Sequence, residues 1–213
     1  MKYLLTILLL FTLSIPLANA ETFGFISDLH AGKQKIRKGL RGRPSDKPSK
    51  AVATTRKYIK AMQKQGVDMI ISAGDNTNNR DNKYAKKMIG FPVVWTMGNH
   101  DYKKSILAPQ RYYSKETANF RIIILDSNYG STTGAGQVPQ WELDWLKEQL
   151  KTDKKIIVVL HHPAMPYLKD VLVGSNTVAV FNGHIHVESE YRENGIWYKT
   201  LPPLVRGYRT YKF

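Results

Sequence analysis

The sequence predicts an α/β protein whose sheet is covered by helices on both faces. Segments such as Val67–Ala73 and Phe120–Asp126 are continuously apolar, which is typical of strands buried on both sides. They alternate along the chain with segments of helical periodicity such as Ala51–Gln65. Five of the strands run directly into polar residues, and ligand sites of open α/β sheets form at the carboxyl ends of strands.

The predicted strands are short apolar segments bounded by polar residues or glycine. In chain order they are Thr22–Asp28, Val67–Ala73, Pro92–Met97, Phe120–Asp126, Lys155–His161 and Val178–Asn182. From Val187 to Phe213 apolar and polar residues alternate, which predicts two or three further antiparallel strands.

Segments of helical character lie between the strands. They are Ala51–Gln65, Asp81–Ile89 and Pro139–Leu150. The first has Ser49 as a candidate N-cap and Gly66 as its stop. We find no repeat or linker that divides the chain, so its 213 residues predict a single domain.

The first twenty residues differ from the rest of the chain. Lys2 is followed by an apolar run, Leu4 to Leu13, and by the small residues of Ala18-Asn19-Ala20, a pattern typical of a secretory signal peptide. We therefore expect residues 1–20 to be cleaved during export to the periplasm or the extracellular space. Residues 21–213 would then form the mature domain, without stable membrane insertion. The alternative is an uncleaved anchor, which the short apolar run disfavours.

The amino-acid composition excludes some kinds of active site and favours one class of partner. The chain has no cysteine, which excludes thiolate ligands, a cysteine nucleophile and a lipid anchor on cysteine. Its net charge is +15, to which the leader contributes only Lys2. Such an excess favours anionic partners, although it also serves solubility alone.

All six histidines lie in the polar clusters that follow strands. These clusters are Asp28-Leu29-His30, Gly74-Asp75, Gly98-Asn99-His100-Asp101, His161-His162 and Gly183-His184-Ile185-His186. A lone histidine is usually structural, but six at strand ends beside carboxylates and an amide indicate a metal centre. Nitrogen and oxygen donors without sulfur suit Mn, Fe, Zn or similar divalent ions.

In order and spacing, these clusters resemble the calcineurin-like metallophosphoesterase superfamily, and most of all its branch with bacterial cyclic-nucleotide phosphodiesterases. The resemblance runs from Asp28 to His186 and so covers most of the mature chain. It implies a four-layer αββα sandwich, with the tail supplying strands of the second sheet. It also implies two divalent metal ions as cofactors.

Carried over by position, the resemblance implies two overlapping ligand sets. Asp28, His30, Asp75 and His186 would hold the first ion, and Asp75, Asn99, His161 and His184 the second. Asp75 would bridge the ions, because one carboxylate has two oxygens. A hydroxide between the ions would attack phosphorus.

Two further residues of the clusters receive roles outside the metal ligands. His100 would protonate the leaving group as general acid, with Asp101 orienting its ring. For His162 we leave open a place behind the ligands or a contact with substrate. Asn78 occupies the position at which purple acid phosphatases have a tyrosine ligand, so the purple class is not expected.

The ligand pattern leaves the substrate open. A phosphodiesterase is the first hypothesis and a phosphomonoesterase with the same site is the second. A catalytically inactive module that binds phosphorylated polymers is a third, disfavoured because no ligand is missing. The expected partner is an anionic phosphate ester, whether a nucleotide, a nucleic acid or another polyanion, and the oligomeric state is not predicted.

A basic segment follows the first cluster. From Lys33 to Lys50 it contains eight lysines and arginines opposed by Asp46 alone, and its glycines and prolines predict a loop. This loop either gathers a polyanionic substrate or is ordinary solvated surface.

Overall fold

The computed structural model describes residues 20–32, 48–78, 82–101, 104–129 and 136–213. The expected leader lies outside the described residues apart from Ala20, as does the basic segment from Lys33 to Lys47. None of the helices in the described ranges is both long enough and apolar enough to cross a bilayer.

The described strands are short and follow the apolar segments of the sequence. They are β1 (Thr22–Ile26), β2 (Met69–Ser72), β3 (Val93–Trp95), β4 (Tyr113–Glu116), β5 (Phe120–Ile124), β6 (Lys155–Val159), β7 (Thr177–Asn182), β8 (Ser189–Glu193), β9 (Ile196–Thr200) and β10 (Arg209–Lys212). The α-helices are α1 (Pro48–Lys64), α2 (Gln140–Gln149) and α3 (Pro166–Leu172), and short 3₁₀ turns span Ala85–Lys87 and Leu204–Arg206.

The strands form two sheets. The first has the order β10-β1-β2-β3, in which β1, β2 and β3 are parallel and β10 is antiparallel to β1. The second has the order β4-β5-β6-β7-β9-β8, with parallel pairing from β5 to β9 and an antiparallel strand at each edge. The carboxyl ends of the parallel strands in each sheet therefore lie at one edge.

Three apolar clusters separate four layers of backbone, which confirms the expected αββα sandwich. Helix α1 packs Ile59 and Met62 against the first sheet. The two sheets face each other through a cluster that includes Phe25 and Phe181, whose stacked rings have centroids 3.9 Å apart. Helices α2 and α3 cover the outer face of the second sheet.

The continuous hydrophobicity of the strands follows from this layering. Ile122 and Ile124 of β5 face the first sheet, whereas Ile123 between them faces the helices. Both faces of the strand are buried, so each position requires an apolar side chain.

Several element predictions were wrong in detail. Helix α1 begins at Pro48, so Ser49 lies inside the first turn and the basic loop ends three residues earlier than expected. Proline is well suited to a helix start because its φ is fixed and its missing N–H has no intrahelical partner there. In the expected helix Asp81–Ile89, the described part from Asn82 onwards forms only the 3₁₀ turn Ala85–Lys87.

Other elements were missed or assigned to the wrong sheet. Strand β4 and helix α3 were not predicted, and both are short. Strands β8 and β9 join the second sheet as the resemblance implied, but β10 pairs with β1 in the first sheet. The paired residues of β1 and β10 are at least 184 positions apart along the chain, and local sequence carries no signal for such a pairing.

A polar network fixes the segment that follows β5. Glu142 of α2 is fully buried, and its Oε1 accepts the backbone N–H of Asp126 at 2.7 Å. The carboxylate of Asp126 contacts Arg111 Nε at 2.5 Å and accepts the backbone N–H of Asn128 at 3.0 Å. Asn128 Nδ2 in turn donates to the carbonyl of Met97 at 3.0 Å. The network thereby ties the end of β5 to the loop that follows β3.

We predict that Glu142 makes stability depend on pH. Burial, aided by the charge of Asp126, raises the pKa of Glu142 from 4.5 to about 8. Between these values the folded chain keeps a proton that the unfolded chain releases, so the free energy of unfolding should fall as pH rises through that window. Glu142→Gln should flatten this decline in urea titrations at pH 5, 6, 7 and 8.

The matched control is Glu148→Gln, which removes an exposed carboxylate from the same helix. It should keep the wild-type pH profile. Parallel profiles for the wild type and Glu142→Gln would contradict the prediction.

Candidate metal centre

The polar clusters converge because the strands that precede them end at a common edge. Asp28 follows β1, Asp75 follows β2 and Asn99 follows β3, all from the first sheet. His161 follows β6 and His184 follows β7, from the second sheet. The site therefore lies where the carboxyl ends of two face-to-face sheets meet.

The backbone of this site is unusual in the described chain. Among the described residues, six that are not glycine have a positive φ. Five of these six are predicted ligands: Asp28 (51°), His30 (47°), Asp75 (51°), His184 (71°) and His186 (61°). The left-handed region costs an L-residue about 1–2 kcal/mol. Such strain concentrates at functional sites, where the surrounding structure holds it in place.

Backbone hydrogen bonds hold the strained loops together. The N–H of Asp28 donates to the carbonyl of Gly74 at 3.0 Å, and the N–H of His30 donates to the carbonyl of Asp75 at 2.8 Å. The loops after β1 and β2 are thus locked side by side, with their carboxylates facing the same space.

Two glycines of the sequence clusters are required by close packing. A Cβ at Gly98 would overlap the backbone nitrogen and Oδ1 of Asp75. A Cβ at Gly183 would overlap Ser27 Oγ and lie 2.7 Å from Asp28 Oδ2. These glycines let the loops after β3 and β7 approach the two buried carboxylates.

The first group of candidate ligands comprises Asp28, His30 and His186. His186 Nε2 lies 3.1 Å from Asp28 Oδ1 and 3.1 Å from His30 Nε2. His30 Nδ1 lies 2.8 Å from Asn78 Oδ1, and Asn78 Nδ2 donates to the carbonyl of His30 at 3.2 Å. Asn78 therefore fixes the ring of His30 with Nδ1–H as donor, which leaves the Nε2 lone pair facing the group.

Asp75 lies between the first group and the second. Its Oδ2 is 3.6 Å from His30 Nε2, and its Oδ1 is 3.3 Å from His161 Nε2. Burial raises the pKa of Asp75, but the charge and hydrogen bond of His161, followed by His30 and His100, outweigh it and hold that pKa well below its usual range. The carboxylate is therefore ionised, with one oxygen directed to each side.

The second group consists of His161, His184 and Asn99. Asn99 Oδ1 lies 3.0 Å from His161 Nε2 and 3.1 Å from His184 Nδ1. The Nδ1 of His161 is 2.9 Å from the carbonyl of Ala73, which makes Nδ1–H the donor and leaves Nε2 directed at Asp75 and Asn99. Although burial lowers it, the charge and hydrogen bond of Asp75 raise the pKa of His161 to about 9.

His162, whose role the sequence left open, lies with His161 and His184: one potential ligand atom of each of the three residues lies within 4.8 Å of the others. It is fully buried, its Nδ1 is 2.9 Å from Ser127 Oγ, and its ring centroid is 4.4 Å from that of His184. Burial, then the charges of His161 and His184, lower its pKa to about 3, so the ring is neutral. Its buried Nε2 has no hydrogen-bond partner among the described residues.

His100 lies beside Asp75 without belonging to either predicted ligand set. Its backbone N–H donates to Asp75 Oδ1 at 2.8 Å, and its Nε2 is 4.0 Å from Asp75 Oδ2. The ring makes an edge contact with His30, with centroids 4.9 Å apart, and its side chain is 37% exposed. The imidazole thus faces both the candidate ligands and solvent.

The structure gives Asp101 other partners than the ring of His100. Its Oδ1 accepts the backbone N–H of Thr77 at 2.7 Å, and its Oδ2 accepts those of Asn76 at 3.1 Å and Gly98 at 2.9 Å. Burial, followed by the charge of Asp75, raises the pKa of Asp101 to about 6. Among the described residues, Asp101 joins the loops after β2 and β3, so it acts on the site by fixing the loop of Asp75.

The donor chemistry of both groups fits divalent ions. Each group combines imidazole nitrogens with carboxylate or amide oxygens, and the Asn78 and Ala73 contacts leave ring lone pairs directed inwards. The Nε2 atoms of His30 and His186, 3.1 Å apart, both face Asp28, an arrangement that suits a shared cation. Sequence reasoning missed the contact of Ser127 with His162, because the two residues are distant in the chain.

Comparison with known proteins identifies the arrangement. The sequence model of the calcineurin-like phosphoesterases matches residues 21–188. A probable cyclic nucleotide phosphodiesterase of Psychrobacter arcticus is 24% identical, over 74% of this chain and 72% of its own length. One of Rhodococcus erythropolis is 30% identical, over 61% of this chain and 54% of its own length. These matches confirm the family and the branch that the sequence clusters suggested.

A solved structure shares the fold at lower sequence identity. The dimetal phosphatase from Danio rerio superposes with a TM-score of 0.70 at 15% identity, over 89% of this chain and 91% of that protein. The likeness supports the four-layer architecture.

We predict that the loss of Asp75 disturbs metal loading more than the loss of Asp28. Of the described carboxylates, Asp75 directs an oxygen to each group, so Asp75→Ala should retain fewer ions per chain than Asp28→Ala, which removes no ligand of the second group. Metal content after dialysis, measured by mass spectrometry, checks this. Asp153→Ala, which removes an exposed carboxylate, is the control and should load like the wild type. Full loading of Asp75→Ala would show that Asp75 does not join the two groups.

Proposed function

We propose that the chain, which belongs to the calcineurin-like phosphoesterase family, is an exported enzyme that hydrolyses phosphoric diesters. Metal-dependent hydrolysis of phosphoric esters is the activity of the family. The diester preference, the acid role of His100 and the export are the parts that we add. The observation that carries the proposal is the placement of two donor groups on either side of Asp75, with the ring of His100 beside them.

The relatives support a diester substrate. Both curated relatives are named probable cyclic nucleotide phosphodiesterases, and cyclic nucleotides are phosphodiesters. The chain spans 72% of the length of one relative and 54% of the length of the other. The substrate class of these relatives is therefore a proposal for this chain.

Two divalent ions bound by these groups would neutralise charge on the phosphoryl group and activate water. The residues of the chain prepare that chemistry. Asn78 and the carbonyl of Ala73 bind the Nδ1 atoms of His30 and His161, so the Nε2 atom of each ring points inwards without rearrangement. Asp101 holds the loop of Asp75 against that of Gly98. A preorganised set of donors of this kind does not have to reorient as charge develops.

His100 supplies the proton that the leaving oxygen needs. It is bound through its backbone to Asp75, yet its ring is partly exposed and free of the predicted ligand sets. A histidine can donate a proton near neutral pH and take it back from solvent. A diester of two alcohols has an alkoxide leaving group, for which this proton is decisive.

Export follows from the leader pattern in residues 1–20, which is an expectation from sequence. It would place the substrate outside the cytoplasm. A measurement of the N-terminus of the purified, exported protein tests it, since a mature chain beginning at Glu21 is expected. A chain that keeps Met1 and stays with the membrane fraction would contradict it.

The central test measures hydrolysis of bis-p-nitrophenyl phosphate and p-nitrophenyl phosphate after removal of metal with a chelator. Activity should be lost and then restored by adding Mn, Zn or Fe singly, with the diester preferred in kcat/KM. Full activity in the metal-free protein would contradict the mechanism. A preference for p-nitrophenyl phosphate would instead identify a phosphomonoesterase, and inactivity on both esters with metal bound would favour a binding module.

We predict that His100→Asn slows diesters with poor leaving groups more than those with good ones. General acid catalysis is worth about 10²–10⁴-fold, and p-nitrophenolate leaves without that help. The variant should lose that factor on dithymidine phosphate, but much less on bis-p-nitrophenyl phosphate, with metal content near that of the wild type. An equal loss of rate on both substrates would show that His100 is not the general acid.

A further inference from the structure

An arginine lies at the rim of the metal centre and belongs to neither donor group. Arg206 ends the 3₁₀ turn Leu204–Arg206. The backbone N–H of Leu204 donates to the carbonyl of Ser27 at 2.8 Å, and Ser27 is the residue before Asp28. Leu204 is also buried in the apolar cluster beneath α1. The turn is thereby anchored directly beside the first donor group.

The side chain of Arg206 makes a second contact with the same group. Its Nη1 lies 3.4 Å from the backbone carbonyl of His186. Ser27 and His186 flank the first donor group from two different sheets, so the guanidinium of Arg206 is held at the edge of this group. Gly207, with φ of 114°, then turns the chain away towards β10.

Among the described residues, the charge of Arg206 is not paired with a carboxylate. No carboxylate of the described residues lies within the 4 Å of an ion pair. By contrast, the nearby Arg209 forms a two-pronged pair with Glu188. The side chains next to Arg206 and His186 in sequence, Val205, Ile185 and Val187, are exposed and apolar, so they offer no competing anion.

We infer that Arg206 binds a second anionic group of the substrate, a phosphate that neighbours the diester being hydrolysed. This inference rests on the proposed function and refines its substrate class. Two divalent ions held by the donor groups would supply the positive charge for the reacting phosphoryl group, which leaves a cation outside the ligand sets available to another anion. The planar guanidinium matches the oxygens of a phosphate and holds them by paired hydrogen bonds. Only one of its nitrogens is used by His186, through a long contact, so the fork stays available.

The substrate class is therefore a phosphodiester that carries a second phosphate group in the same molecule. Examples are a nucleotide diester with a further phosphate on its sugar and an oligonucleotide. A simple diester lacks the second anion and gains nothing from Arg206. The strong positive charge of the chain favours the approach of such a substrate.

A matched pair of substrates tests the inference. Both are thymidine 5′-(p-nitrophenyl phosphate), and one of them carries an additional 3′-phosphate. The wild type should show a higher kcat/KM for the 3′-phosphorylated ester, mainly through KM. In Arg206→Gln the ratio of the two kcat/KM values should fall about tenfold, and Arg206→Lys should recover part of it because the charge is kept and the fork is lost.

Binding without turnover gives a second readout. The affinity for thymidine 3′,5′-bisphosphate, measured by calorimetry on the metal-loaded enzyme, should fall about tenfold in Arg206→Gln. The affinity for thymidine 5′-phosphate should fall less. Arg192→Gln is the matched control, because Arg192 also donates to a backbone carbonyl, that of Gly195, but lies over the ring of Trp197 near the hairpin turn at the far end of β8. This variant should keep both wild-type ratios.

The outcomes separate this inference from the proposed function. Hydrolysis of both esters with an unchanged ratio in Arg206→Gln, or with an equal loss on both, would overturn the role of Arg206 and leave the diesterase intact. Failure of the metal-loaded wild type to cleave either ester would overturn the proposed function. In that case an unchanged affinity for thymidine 3′,5′-bisphosphate in Arg206→Gln would overturn the inference as well.

Discussion

The buried carboxylate of Asp75 is the interaction on which the rest of the site depends. Its two oxygens face histidines that come from different sheets, His30 after β1 and His161 after β6. The distance between those histidines is set by how closely the sheets pack, and that packing is set by the apolar layer of Phe25 and Phe181. The chemistry at the rim is thus a consequence of the core beneath it, because a change in the sheet separation would pull the imidazoles off the shared carboxylate.

The same convergence explains why the backbone bends so sharply at the strand ends. A strand that continued in extended conformation would carry its next polar residue past the site. The left-handed residues Asp28, Asp75 and His184 instead turn the chain within one residue. At about 1–2 kcal/mol each, five such residues cost an amount comparable to the net stability of a whole domain, about 5–15 kcal/mol. Three buried apolar layers offset this cost, which is why the strained loops are short and the strands beneath them contain almost only apolar residues.

The sequence was informative wherever one local rule decides the structure. Continuous apolar strands and the polar residues that end them predicted a sheet covered on both faces and the composition of the site, and the family resemblance implied the four layers. Contacts between distant segments were out of reach: the pairing of β10 with β1, the orientation of His30 by Asn78, and the binding of Asp101 to the Thr77 backbone. Asp101 shows the difference well. The motif predicted that Asp101 orients the ring of His100, and the structure adds that three backbone amides of two loops donate to its carboxylate, which no spacing in the sequence reveals.

The pairing of β1 with β10 has a consequence for how the protein comes to be folded. Thr22 of β1 pairs with Lys212 of β10. The same strand β1 leads into Asp28 of the site. During synthesis, β1 emerges long before residues 209–212, so its outer edge stays unpaired until those residues are available. Contacts of such long sequence separation slow folding, because the entropy cost of closing the loop comes before the strand pairing contributes any stabilisation. The metal centre is therefore assembled late, and a chain that stalls or is clipped near its last strand loses the support of the very first.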